Sequence, residues 1–221
     1  MLSKLLSKLL FIAMLAAACQ NISEIMPREP TVRYTTGELL IEESFDSAES
    51  WESWSVEGVN LRVWEGTFRI TAGDQGYVWA INDDIHTDVV IEVRTRQLSS
   101  HANNGYGVMC RAQPNGDGYY FLISGDGYYS IRRGAGSEVQ EVVPWEASSM
   151  IQQGIGANDI RAVCIGRYLA LYINGVFVVE TEDNAAFQGY VGFTAAASEG
   201  GEVDVTFDNL TVYEASIDDG S

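Results

Sequence analysis

Residues 103–133, NNGYGVMCRAQPNGDGYYFLISGDGYYSIRR, decide the fold class of this chain. Three runs of alternating side chains are separated by Gly-rich turns, the pattern of consecutive antiparallel strands. Side chains along a strand alternate between faces, so Val108, Cys110, Phe121, Ile123, Tyr129 and Ile131 form one apolar set. Met109, Arg111, Tyr120, Leu122, Tyr128, Ser130 and Arg132 form the other. The first set is expected in a core and the second on a surface rich in Arg and Tyr. The connection Gly125-Asp126-Gly127 fixes the register. A loop of two residues would set Ile123 opposite Ser130, whereas a loop of three sets Phe121 opposite Ile131 and Ile123 opposite Tyr129. The longer loop is therefore expected, with Gly127 in the left-handed conformation before the second strand resumes. A slip by one residue would turn the whole apolar set to water.

Outward from this stretch, strand candidates recur at 38–45, 60–64, 66–71, 76–81, 87–97, 138–143, 159–165, 168–173, 176–181, 189–195 and 202–213. Many short strands with turn signals between them indicate a sandwich or barrel. Tyr172-Ile173-Asn174-Gly175-Val176 is the strongest hairpin signal, because Asn-Gly supplies the positive φ angles of a type I′ turn. No segment carries a long helical period; one short helix is expected at 145–153, after Pro144 and before Gly154. The fold class expected from this pattern is all-β, an antiparallel sandwich or barrel with at most one short helix, in a single domain over 38–216. Trp51, Trp54 and Trp64 are assigned to sandwich packing and Trp145 to anchoring the short helix. Trp79 is assigned to the core, with stacking on a ligand as the alternative.

Residues 1–18 carry Lys4 and Lys8, an apolar run, and small residues directly before Cys19, which reads as a secretory signal. The run is too short for a comfortable membrane span. Small residues abutting a cysteine resemble a bacterial lipobox, which would make Cys19 the lipidated first residue of the mature chain. An ordinary cleaved signal is the competing reading. Residues 19–37 read as the lipidated Cys and a tether, and 217–221 as an acidic tail. The expected location is extracytoplasmic, as a membrane-anchored lipoprotein of a bacterial cell envelope. Removing Lys4 and Lys8 with the signal leaves 11 basic side chains, all Arg, against 31 acidic ones, a net charge of −20. Such a chain repels phosphate backbones, so nucleic acid is not an expected partner. Cys110 and Cys164 fall on strand candidates among apolar neighbours. An oxidising compartment permits a disulfide between them, and two reduced core cysteines are the alternative.

The stretches ESFDSAESWESW, RYLALYINGVFVVET and VTFDNLTVYEA together resemble the concanavalin A-like lectin/glucanase superfamily, over roughly residues 38–214. That resemblance implies a jelly-roll sandwich, a fold that hosts lectins, glycosidases and structural modules alike. More distantly, NNGYGVMCRA followed by GYYFLISGDG resembles the 3-keto-disaccharide hydrolase family, with Asn104, Gly105 and Arg111 matching. The Tyr-Glu-x-Gln of that family is replaced by Tyr120-Phe121-Leu122-Ile123, which carries no carboxylate.

Extending the alternation to DVVIEVRTRQL places Val89, Ile91 and Val93 in the core and Glu92, Arg94 and Arg96 beside Arg111, Tyr120, Tyr128 and Arg132. Aromatic rings cover the C–H faces of sugars while Arg and carboxylates bond hydroxyls. Arg94, Arg111, Tyr120, Tyr128 and Arg132 are therefore the expected glycan-binding residues. The competing reading is a solvated face of cross-strand pairs. Glycosidases need two carboxylates across the scissile bond, and Glu92 is the sole acid assigned to this face, so catalysis would fall to Glu92. Glu202-Val203-Asp204-Val205-Thr206-Phe207-Asp208 superficially resembles the catalytic strand of family 16 glucanases but lacks its terminal Glu. Asp46 and Asp208 are the candidate ligands of a structural calcium ion, against local turn bonds as the alternative. No other cofactor is indicated. The function expected is a surface-anchored, non-catalytic glycan-binding or adhesion module; a glycoside or 3-keto-glycoside hydrolase and a structural protein-interaction domain are the alternatives.

Overall fold

A computed structural model of the chain describes residues 28–47, 51, 53–73 and 76–218. Cys19, the expected signal segment and most of the expected tether lie outside the described residues. In chain order the strands are β1 (Tyr34–Glu43), β2 (Trp54–Val56), β3 (Val59–Trp64), β4 (Thr67–Ala72), β5 (Val78–Ile81), β6 (Val89–Gln97), β7 (Asn104–Ala112) and β8 (Gly118–Ile123). They continue with β9 (Tyr128–Ala135), β10 (Glu138–Ala147), β11 (Ala157–Ile165), β12 (Tyr168–Ile173), β13 (Val176–Glu182), β14 (Tyr190–Ala197) and β15 (Val203–Ile217). Two antiparallel sheets result. The nine-stranded sheet runs β13-β12-β11-β6-β15-β4-β3-β2, with β1 added against β15. The six-stranded sheet runs β10-β9-β8-β7-β14-β5.

The apolar set read from 103–133 is the core wall of the six-stranded sheet. Val108, Cys110, Phe121, Ile123 and Ile131 are fully buried, and Tyr129 nearly so. Phe121 lies opposite Ile131 and Ile123 opposite Tyr129, and Gly127 has φ 93°, as the loop of three requires. Asn174 and Gly175 both take positive φ in the β12–β13 hairpin. Between the sheets an aromatic column fills the centre: Trp51 stacks on Phe193 at 4.7 Å, and Phe193 on Phe207 at 4.5 Å. Cys110 on β7 and Cys164 on β11 form a disulfide that crosses the core and ties the sheets together.

Three expectations are corrected. No helix exists among the described residues: Trp145 belongs to β10, whose edge position tolerates Pro144 because its missing N–H faces no partner strand. The folded domain begins before residue 38, since β1 begins at Tyr34. Thr31 N–H donates to the Glu180 carboxylate at 3.0 Å, and the Tyr34 ring meets Tyr172, so this segment lies on the outer face of the nine-stranded sheet. Finally, β6 is not a neighbour of β7. It pairs with β11 and β15, which puts Glu92, Arg94 and Arg96 on the opposite outer face of the sandwich from Tyr120 and Arg132.

Candidate functional site

The structure therefore divides the expected site. On the nine-stranded sheet, Glu92 and Arg94 line a groove of about 440 Å³ with Asp159, Arg161, Thr211 and Tyr213. This is a second carboxylate near Glu92, but both acids are held by guanidiniums from the facing strand. Arg161 Nε donates to Glu92 at 2.6 Å, and Arg94 Nη1 to Asp159 at 3.5 Å. Opposite charges in adjacent cross-strand positions stabilise a sheet face, and a general acid would have to break such a pair to carry a proton. Asp204, from the glucanase-like stretch, forms a two-point ion pair with Arg69 at 2.8 and 2.6 Å. It is a structural carboxylate.

Arg111 does not join the outer face either. It takes φ 54° at a bulge, where the β7–β14 register shifts between Tyr190 and Gly192. A bulge re-aims its side chain, and the guanidinium is swallowed at one end of the sandwich. It donates to Thr87 O at 3.2 Å, Gly166 O at 2.7 Å, Ala186 O at 2.9 Å and Asp88 Oδ1 at 3.0 Å. Burial lowers its pKa and Asp88 opposes that shift. Arg111 ties three loops together, and its side chain is fully buried.

What remains is the outer face of the six-stranded sheet, and it is more apolar than the sequence indicates. Met109, Tyr120 and Leu122 are fully buried there under Tyr77, Trp79, Trp145 and Tyr190. The cause lies in the middle strands. Gly105 and Gly107 on β7, and Gly192, Thr194 and Ala196 on β14, make a floor without bulk. Large rings from the two edges fold across it. A methyl group on Gly105 would lie 3.2 Å from the Trp145 ring and 3.6 Å from the Tyr77 hydroxyl, so rings from β10 and from just before β5 meet over that glycine. Trp79 likewise rests on Gly116, where a methyl would come within 2.8 Å. Tyr77 packs edge-on against Tyr120 at 5.4 Å, and the Tyr120 hydroxyl donates to Gly116 O at 2.5 Å. Burial raises the pKa of both phenols, most strongly at Tyr120.

Two clefts open beside this aromatic ridge. One, of about 420 Å³, is lined by Trp54, Tyr77, Trp79 and Pro114. The other, of about 230 Å³, is lined by Asn103, Ser124, Asp126, Tyr128 and Trp145. Its polar groups are positioned by the β8–β9 loop: Ser124 hydroxyl bonds Asp126, and Tyr128 N–H donates to Ser124 Oγ at 3.1 Å. The Arg132 guanidinium lies 5.3 Å from the Trp145 ring centre. Of the expected residues, Tyr120, Tyr128 and Arg132 are thus brought together. Tyr77, Trp79 and Trp145 were missed as a group because they come from distant segments. The outward position of Trp79 in the alternation Val78-Trp79-Ala80-Ile81 was the available signal.

Asp46 accepts from the Ser44 hydroxyl at 2.8 Å, and Asp208 bonds the Asn209 N–H and side-chain amide at 2.8 and 3.0 Å. Among the described residues no group of three or more His, Cys, Asp or Glu side chains gathers as a metal site.

No protein-family model matches the chain, and no curated protein matches it. Solved structures do match. A carbohydrate-binding module, CBM66 from Bacillus subtilis, aligns with TM-score 0.55 at 12% identity, covering 76% of this chain and 97% of that one. A Bacillus subtilis protein of unknown function with a galectin-like fold gives TM-score 0.59 at 13% identity, covering 83% and 99%. A laminarinase from Flavobacterium sp. UMI-01 gives TM-score 0.55 at 14% identity, covering 80% and 100%. At such identities the likeness carries the architecture and not the activity. By strand order, core and structural likeness, the protein is an all-β sandwich of the concanavalin A-like jelly-roll fold.

Proposed function

We propose that this protein is a non-catalytic glycan-binding module and that it binds on the outer face of the six-stranded sheet. One observation carries the reading: Tyr77, Trp79, Tyr128 and Trp145, from separate parts of the chain, converge on one face beside two clefts, with Tyr120 buried beneath them. Rings in a row offer stacking surfaces to successive sugar C–H faces, and Asn103, Ser124 and Asp126 offer directional partners to hydroxyls. The structural likeness to a carbohydrate-binding module and a laminarinase agrees with a glycan as partner. The ion pairs that occupy Glu92 and Asp159 support the non-catalytic reading. An extracytoplasmic, lipid-anchored location through Cys19 is part of the proposal, and the Cys110–Cys164 disulfide supports an oxidising compartment.

A glycan array probed with the full-length protein tests the reading. Binding should be lost in Trp145→Ala and Tyr77→Ala and kept in Arg94→Ala. Absence of binding by the wild type, or indifference to both aromatic substitutions, would overturn it. Mass spectrometry of the membrane fraction tests the anchor, which fails if Cys19 carries no diacylglycerol.

A further inference from the structure

Five arginines are buried or part-buried: Arg69, Arg111, Arg132, Arg133 and Arg161. Four of them hold a carboxylate at 3.0 Å or closer: Asp204, Asp88, Asp183 and Glu92 respectively. Arg132 differs. Its side chain is only 17% exposed, its Nε is sealed from solvent without a partner, and its nearest acid is Glu141 at 3.6 Å. It donates no hydrogen bond among the described residues. Buried donors left unmade are costly and each calls for an explanation. Nothing in the surrounding cluster supplies an acceptor: Trp145 covers the guanidinium, Tyr120 lies opposite it across the strand pair but donates its hydroxyl elsewhere, and Tyr77 is close enough to feel its charge. The indole holds the planar cation beside the aromatic ridge.

Resting on the glycan-binding reading above, we infer that the ligand is an acidic glycan and that the Nη groups of Arg132, the part of the guanidinium that is not sealed, receive its carboxylate or sulfate group. Guanidinium matches such anions in shape as well as charge, and a bidentate contact adds geometric selectivity. The strongly acidic chain offers an anion no long-range attraction, so recognition must come from this contact at short range. Glu141, paired to Arg132 across the β9–β10 ladder and more than half exposed, occupies the cation loosely until a ligand displaces it.

Isothermal titration calorimetry of the full-length protein against three length-matched oligosaccharides decides the matter: a polyuronate, a sulfated galactan and a neutral β-glucan. At least one acidic oligomer should bind tighter than the neutral one, and which of the two does so identifies carboxylate or sulfate. A charge-assisted contact corresponds to about 10- to 100-fold in affinity; Arg132→Gln should erase that margin, and Arg132→Lys, which keeps the charge, should retain part of it. Glu141→Gln should raise acidic-ligand affinity by removing the competitor. A neutral oligomer that binds as tightly as the acidic ones, or a preference that survives Arg132→Gln, overturns the inference and leaves the glycan-binding reading standing. Failure to bind any of the three overturns both.

Discussion

Replacing Arg111 by methionine separates a structural role from a ligand-binding one. Methionine can fill the aliphatic path of the side chain but supplies no donors. Thr87, Gly166 and Ala186 each lose a guanidinium partner for their carbonyl oxygens, and Asp88 loses its cation. Breaking a buried ion pair from one side costs about 3–5 kcal/mol. Asp88 is 39% exposed and keeps the Gly166 N–H at 2.8 Å, so it can recover hydration in part. The lower end, about 3 kcal/mol, is therefore expected. Urea denaturation followed by tryptophan fluorescence reads this directly: with a slope of about 2–3 kcal/mol/M, the midpoint should fall by about 1–1.5 M. Arg111→Lys should fall between wild type and Arg111→Met, because an ammonium reaches fewer acceptors and lacks the fork. Glycan affinity, measured where both variants are folded, should be unchanged. A variant of wild-type stability that has lost glycan binding would refute the structural assignment and return Arg111 to the ligand.

Further outcomes follow from other parts of the molecule. Reduction, or Cys110→Ser with Cys164→Ser, should destabilise the domain by up to about 4 kcal/mol by the loop-entropy relation for a sequence separation of 54, read as a lower melting temperature under reductant. At Asp183, burial pushes the pKa up, but the Tyr119 hydroxyl, the Ala185 N–H and Arg133 outweigh it and the net shift is downward. Its stabilising contribution is therefore present above the ordinary carboxylate range and lost as pH falls through the lowered value. The stability gap between wild type and Asp183→Asn should close below about pH 4 in acid titrations of the melting temperature. Glu92→Gln removes a half-exposed ion pair, so it should cost about 1 kcal/mol or less and leave glycan binding intact; turnover of a 3-keto-glycoside that vanishes in this variant would establish the hydrolase reading instead. Gly105→Val places a branched side chain where the Trp145 and Tyr77 rings meet, and should weaken glycan binding more than it lowers stability.

The register of β7, β8 and β9 was legible in the sequence because a one-residue slip exchanges apolar and polar faces, leaving a single pairing that buries Val108, Phe121 and Ile131 together. The Asn174-Gly175 turn was legible for a similarly local reason: few residue pairs accept two positive φ angles. Alternation also sorted β6 correctly into inward Val89, Ile91 and Val93 and outward Glu92 and Arg94. Alternation reports only which side of its own sheet a residue faces. Which sheet a strand joins depends on long-range pairing, here of β6 with β11 and β15, and that choice moved Glu92 and Arg94 away from Arg132. The aromatic ridge needed tertiary structure for the same reason, since Tyr77, Tyr120 and Trp145 are strangers in sequence and meet only over the small floor of β7 and β14. Arg111 shows the remaining limit. Its alternation predicted an outward side chain, and a single backbone bulge, invisible in a residue pattern, turned it into the end of the core.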